Sequence, residues 1–300
     1  MKKILFTLAV LLSGTMLHAD DVKYLSRKEL EQCNIILTYP QWKLKALSFS
    51  YDDGNIADRK LIEIFNRFGM HGTFHIPSAW LTDPKRSVSR VKEAEIKTLY
   101  SGHEVSGHGA KHVTLTLVKP ARIAGELDGD ITTWQRITGK KLIGYAYPFG
   151  RYNDTVVNIL KEKGLIYARI CKPAKSFDLT EDFLRWRPHA HHNRNIMKLG
   201  NAYLKFVPQR LSLLLIWGHS YEFNKHNNWD RIENFCKLMA NKPDIFYATM
   251  GDIALYAGAA AKLALTADGK SIQNHSDRPV FLIYKGEKIE LAPGKTLCLK

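Results

Sequence analysis

Two short stretches of the chain carry the side chains best suited to hydrolytic chemistry. Ser50-Tyr51-Asp52-Asp53-Gly54 supplies adjacent carboxylates, and Gly107-His108-Gly109-Ala110-Lys111-His112 supplies two imidazoles. A catalytic divalent metal of the zinc type takes three protein ligands, drawn from His and carboxylate, and keeps an open position for water. Asp53, His108 and His112 make such a set. Water made acidic by the metal still needs a group to accept its proton, and Asp52 is the carboxylate left over. Each motif alone is weak: Asp-Asp-Gly suits a turn, and His-x-x-x-His puts two rings on one face of a helix by chance as well as by design. Their combination, with a strand before the first and a third histidine element downstream, favours a site.

These side chains need elements to position them. Leu47, Phe49 and Tyr51 alternate as on a strand that delivers the carboxylates to its C-terminal edge, where ligands bind in a parallel α/β sheet. A second apolar run begins at Leu211 and ends abruptly in Trp217-Gly218-His219, so another strand hands over another imidazole. The first of these strands spans 46–51 and the second 211–217, and further strand candidates fall at 72–76, 104–106, 142–147, 165–170 and 245–248. Helical patterns separate them: Leu61, Ile64, Phe65 and Phe68 share a face that stops at Gly69. Ile123, Leu127, Ile131 and Trp134 follow Pro120, and a third helix is predicted from Asp154 to Lys163, before Gly164. About seven strand-helix units predict a parallel α/β domain, and a distorted barrel fits that count better than an open sheet. After about residue 260 the pattern shifts to short strands at 280–284, 288–291 and 296–299 with turn residues between them, a small β appendage expected to pack on the barrel.

With Leu215 to Glu222 as a late histidine element, the chain resembles the polysaccharide deacetylases, the NodB-homology group of carbohydrate esterase family 4, over roughly residues 40 to 255. The resemblance implies a distorted, incomplete (β/α)7-type barrel, with Asp52 as catalytic base, Asp53, His108 and His112 as metal ligands, and His219 as catalytic acid. The implied cofactor is a divalent metal, zinc first, with cobalt, nickel or manganese as other nitrogen and oxygen acceptors. Two positions depart from the family. Gly109 stands where the family has a Ser or Thr hydroxyl, and Ala146, in Tyr145-Ala146-Tyr147-Pro148-Phe149-Gly150, stands where the family has an Arg that orients the base. Arg151 or Arg187 is expected to supply the missing guanidinium, with Arg187 favoured. Tyr147 (through its backbone N–H), Pro148, Phe149, Trp186, Arg187 and Trp217 are the expected substrate-binding residues. Trp186 reads equally as a sugar platform or as a core residue closing the barrel. The tract His189-Ala190-His191-His192-Asn193 reads as a solvated loop in preference to a second metal site.

Composition bounds the rest. Lys2-Lys3, the apolar run from Ile4 to Leu12 and Leu17-His18-Ala19 read as a secretory signal over residues 1–19, leaving a catalytic domain over 20–260 and the appendage over 261–300. Secretion or a periplasmic location is therefore expected. No later run reaches the roughly twenty residues of a spanning helix. The formal charge of +15 falls to +13 without Lys2 and Lys3. Its Lys and Arg are scattered and no nucleic-acid module appears, so the expected partner is an acetylated and acidic carbohydrate. Cys33, Cys171, Cys236 and Cys298 allow three pairings, with Cys236 expected on a buried helical stripe beside Trp229, Ile232, Phe235 and Met239. The reading is a carbohydrate deacetylase acting on an N- or O-linked acetyl group. A noncatalytic glycan-binding protein and a glycoside hydrolase using Asp52 with Glu222 are the other classes.

Overall fold

The computed structural model describes residues 22–299, and the signal segment expected over 1–19 lies outside the described residues. The chain starts with helix α1 (Arg27–Gln32) and strand β1 (Ile35–Thr38). The barrel begins with β2 (Lys45–Asp52), α2 (Asp58–Arg67), β3 (Gly72–Ile76), α3 (Ile96–Leu99) and β4 (Glu104–Gly107). It continues through α4 (Pro120–Thr138), β5 (Gly144–Ala146), α5 (Asp154–Glu162), β6 (Tyr167–Arg169) and β7 (Ala190–His191). Helix α6 (Ile196–Lys205), β8 (Ser212–Gly218), α7 (Tyr221–Lys225), α8 (Trp229–Met239), β9 (Ile245–Tyr247) and α9 (Met250–Ala260) complete it. Five short strands follow: β10 (Leu263–Leu265), β11 (Ser271–Asn274), β12 (Val280–Tyr284), β13 (Glu287–Leu291) and β14 (Thr296–Cys298).

The large sheet runs in the order β6-β5-β4-β3-β2-β8-β7, with β9 pairing the first half of β2 and β3 the second half. Every pairing in it is parallel. A bridge from Arg169 to Trp186 extends the curl beyond β6. The result is the distorted barrel that the alternation of strand and helix signals predicts, incomplete as the resemblance implies. Because β2 has neighbours on both edges and layers on both faces, all eight of its residues are buried, as expected of a parallel core strand. Leu47, Phe49 and Tyr51 face the helical layer with Leu61, Phe65 and Phe74. Ser48, Ser50 and Asp52 alternate with them. The helices stop where the sequence predicts: α2 ends before Gly69 at φ 66° and α5 before Gly164 at φ 78°, while Asn153 caps the start of α5 by accepting from the Val156 N–H. Cys236 is buried on α8, and all four cysteines are free thiols.

The small strands form two antiparallel sheets, β1-β12-β13 and β10-β11-β14. The first takes β1 from near the start of the described chain, so the appendage is stitched from both ends. It packs with α9 on Ala46, Leu213 and Leu215, whose apolar side chains lie toward the N-terminal half of the barrel strands. This leaves the C-terminal strand ends for the site. Tyr256 on α9 is the main polar stitch: its hydroxyl donates to the Thr38 carbonyl at 2.5 Å and accepts the Phe281 N–H at 2.8 Å. Tyr256→Phe strips partners from two buried backbone groups and should cost about 1–3 kcal/mol. Urea unfolding checks this: the midpoint should fall with the slope unchanged.

Candidate active site

Strand β2 carries Asp52 to its last position, and the backbone then turns left-handed at Asp53, φ 80°. Asp tolerates that region better than most residues, and the Asp53 N–H donates to the His75 carbonyl at 2.9 Å. Strand β4 ends at Gly107 and delivers His108. His112 returns through a tight turn, its N–H donating to the Gly109 carbonyl at 2.9 Å. The two imidazoles therefore come from a loop and not from one face of a helix. Gly109 has φ 75°, and a Cβ there would lie 2.8 Å from the Tyr145 hydroxyl. The glycine is a conformational requirement of this loop, not simply a lost hydroxyl.

Asp53 Oδ1 lies 3.9 Å from His108 Nε2 and 3.9 Å from His112 Nε2, with the imidazole rings 4.6 Å apart. The three donors lie within 4.8 Å of one another. His108 Nδ1 is 2.7 Å from the Ala146 carbonyl. A proton on Nδ1 donated there leaves the Nε2 lone pair for a metal, as ligating histidines commonly arrange. Asp53 Oδ1 is buried with no hydrogen-bond donor, and a cation there would offset the cost of burying it unpaired. The residues thus fit a divalent ion.

Two carboxylates on α4 hold the histidine loop. Asp130 accepts the Ser78 N–H at 3.0 Å and the His108 N–H at 2.8 Å, and Glu126 accepts the Lys111 N–H at 2.7 Å. Sequence reasoning missed both, although Glu126 and Asp130 sit at i+3 from Ile123 and Leu127, inside the apolar stripe. Carboxylates on a buried helical face signal that backbone donors will meet them.

Asp52 is buried and paired through Oδ2 with the Arg169 guanidinium. Burial pushes its carboxyl up. The Arg169 charge, helped by His108, His219 and His75, outweighs burial and holds it well below the usual carboxylate range. Arg169 is itself fully buried, donates from Nε to Ser50 Oγ at 2.8 Å and lies 4.5 Å from the Trp217 ring centroid. It is in register with Ala146 on the adjacent strand. The missing guanidinium is thus supplied from β6, one strand over. The expectation of Arg187 is overturned: Arg187 lines a separate groove with Tyr152, Lys175 and Asp182, and Arg151 is exposed. An Arg closing the otherwise apolar run 165–170 was the available signal.

Other expected contacts also change. Trp186 is 1 % exposed and packs on Tyr167 and Phe183, so it closes the barrel and offers no sugar platform. Tyr147 is buried, its N–H donating to the Arg169 carbonyl at 3.1 Å and its hydroxyl to the Leu184 carbonyl at 2.9 Å. That N–H is committed to the sheet and cannot serve an oxyanion. Pro148 is buried behind the Gly109 turn. Phe149 is exposed with its ring 4.6 Å from His112, and Trp217 is half-buried, so these two remain at the mouth of the site.

His219 follows β8, whose Gly218 is in register with Tyr51, bringing the imidazole beside the end of β2. Burial disfavours its protonation, but Glu222 and the Asp52 and Asp53 charges outweigh burial and raise its pKa. Glu222 Oε1 lies 3.4 Å from His219 Nδ1. The histidine-rich tract is not a solvated loop: His192 is fully buried. A Cβ on Gly218 would fall 2.1 Å from His192 Nδ1, so the glycine makes room for that ring.

Residues 41–168 match the family model described as polysaccharide deacetylase. A peptidoglycan deacetylase-like protein of Gibberella zeae is 28% identical over 117 residues, covering 38% of this chain and 32% of that protein. A peptidoglycan deacetylase of Helicobacter pylori is 23% identical over 114 residues, covering 38% of this chain and 36% of that protein. The chain thus matches about a third of the length of these curated relatives. A Mycobacterium smegmatis structure solved under the polysaccharide deacetylase description shares the fold, with TM-score 0.56 and 17% identity over 75% of this chain and 93% of that one.

Arg169→Ala leaves a buried carboxylate without its counter-charge and should cost about 3–5 kcal/mol, whereas Arg187→Ala should stay within about 0.5 kcal/mol of the parent. Denaturant unfolding of the two variants separates them, and equal losses would reject the Arg169 assignment.

Proposed function

We propose that this chain, whose NodB-homology domain places it in the polysaccharide deacetylase family of carbohydrate esterases, is an exported, divalent-metal-dependent hydrolase that removes acetyl groups from a carbohydrate polymer. The observation that carries the reading is the convergence of Asp53, His108 and His112 around an unpartnered carboxylate oxygen, with Asp52 alongside. Asp53, His108 and His112 would hold the metal, and their nitrogen and oxygen donors suit zinc. When bound, such an ion supplies Lewis-acid polarisation of the acetyl carbonyl and an acidified water.

Asp52 accepts the proton of the attacking water. A carboxylate held below its usual range by Arg169 is a weak base. Arg169 fixes the Asp52 side chain and keeps it ionised. His219 donates a proton to the departing nitrogen or oxygen, and Glu222 holds its ring from the Nδ1 side. The raised proton affinity of His219 suits a donor. Phe149 and Trp217 offer apolar faces of the kind that stack on sugar rings.

An N-acetylated amino-sugar polymer is the favoured substrate, because the two curated relatives are named for peptidoglycan. The charge of +13 left without Lys2 and Lys3 suits an acidic envelope. Glu222 is engaged by imidazoles, which argues against its service as the second carboxylate of a glycoside hydrolase.

The experiment is acetate release from N- and O-acetylated glycans by protein lacking residues 1–19, after chelation and with zinc restored. Acetate should vanish on chelation and return with zinc. Asp52→Asn should lower it on every substrate, while His219→Ala should lower amide turnover by about 10²–10⁴ and ester turnover less, since an amine needs the acid more than an alcohol does. Equal losses on amide and ester would remove His219 from the acid role. Metal bound without any acetate would turn the reading to a noncatalytic glycan-binding protein, and new reducing ends without acetate to a glycosidase.

A further inference from the structure

We propose that His191, His192 and Glu222 form a second divalent-metal site, separate from Asp53, His108 and His112, that takes a zinc-type ion. The two imidazoles converge on one oxygen: His191 Nε2 lies 3.1 Å and His192 Nε2 3.0 Å from Glu222 Oε2. Around a tetrahedral zinc with bonds of about 2.0–2.1 Å, donors sit about 3.3 Å apart, so these spacings need only a small outward adjustment. All three donor atoms fall within 4.8 Å of one another.

The decisive group is His192. It is fully buried, and neither of its ring nitrogens makes a hydrogen bond. Its Nε2 approaches Glu222 at hydrogen-bonding distance but off the line such a bond needs. A buried imidazole with both nitrogens idle is rare, because an unmade hydrogen bond in the interior costs about 1–3 kcal/mol. A metal on Nε2 removes much of that cost. The ring is held in place by Phe223, stacked at 4.1 Å, by Tyr51 at 5.6 Å and by the bare Gly218. His191 is fixed edge-on to Trp217 at 4.6 Å.

Glu222 has capacity to spare. Oε1 faces His219 Nδ1, and Oε2 also accepts from Asn193 Nδ2 at 3.2 Å. An ionised carboxylate offers about four lone-pair sites, so a metal on Oε2 leaves both contacts in place. Imidazole and carboxylate together suit zinc, cobalt, nickel or copper over magnesium or calcium. The ion has a way in: His191 lines a cavity of about 520 Å³ with Trp217, Cys171 and Lys198. The pattern differs from the first site, where Asp53 and histidines from a loop after β4 converge. Here the end of β7 and the residue that follows it meet the start of α7.

Metal content of untagged protein, stripped by chelator and then equilibrated with zinc, tests the assignment independently of any substrate. Wild type should retain two zinc ions per chain. Asp53→Asn, His191→Gln and Glu222→Gln should each retain one, and Asp53→Asn/His191→Gln none. A cobalt titration of wild type, which needs no variant to fold, should show two saturating steps in the visible absorption. One zinc in wild type with none in Asp53→Asn, or a single cobalt step, overturns the proposal.

Discussion

A guanidinium sealed beneath a carboxylate organises the upper half of this barrel. Arg169 and Asp52 are both removed from water, and either charge alone would be costly there, so each stays ionised because the other is present. The consequences spread outward from that pair. Ser50 is tied to the Arg169 side chain, the Trp217 ring lies against it, and the Arg169 carbonyl takes the Tyr147 N–H. Strands β2, β6 and β5 and the end of β8 are thus locked into one arrangement at the place where the functional side chains emerge. Removing the guanidinium would disturb the seat of the base and the register of its neighbours together.

A second layer of buried carboxylates plays a quieter part. Asp130 and Glu126 reach from α4 into the histidine loop, and Glu104 binds the Thr73 and Tyr167 hydroxyls and the Gly251 N–H within the barrel. Burial pushes the Asp130 and Glu104 carboxyls up to about 7. These groups act as clamps: each satisfies backbone or hydroxyl donors that would otherwise be stranded. The loop can then hold His112 at φ 57° and Gly109 at φ 75°, conformations that a floppy connection would not keep.

What was legible in the sequence follows from which signals are local. Strands β2 and β8 announce themselves by runs of apolar residues ending in polar ones, and α2, α4 and α5 by spacing and stop residues, because each signal reports the burial of one element on its own core. Asp52, Asp53, His108 and His112 are legible because strand ends bring short contiguous motifs together. Arg169 was not, because its partnership with Asp52 spans 117 residues and depends on which strands lie side by side. Arg187 was favoured for its neighbourhood of polar residues, yet it belongs to an outer groove. Trp186 read equally well as a platform or as core, since a single residue carries no periodicity. Strand β7, two residues long, lies below the length at which alternation can register.

The pairing of β1 with β12 sets Ile36 against Ile283. These residues lie near opposite ends of the described chain, so one small sheet depends on a contact of very high sequence separation, and such contacts form late and slowly. During synthesis β1 must wait as an unsatisfied edge until the residues of β12 have emerged. Closure of that sheet therefore follows synthesis of every barrel strand, and loss of β12 would leave a defect at β1.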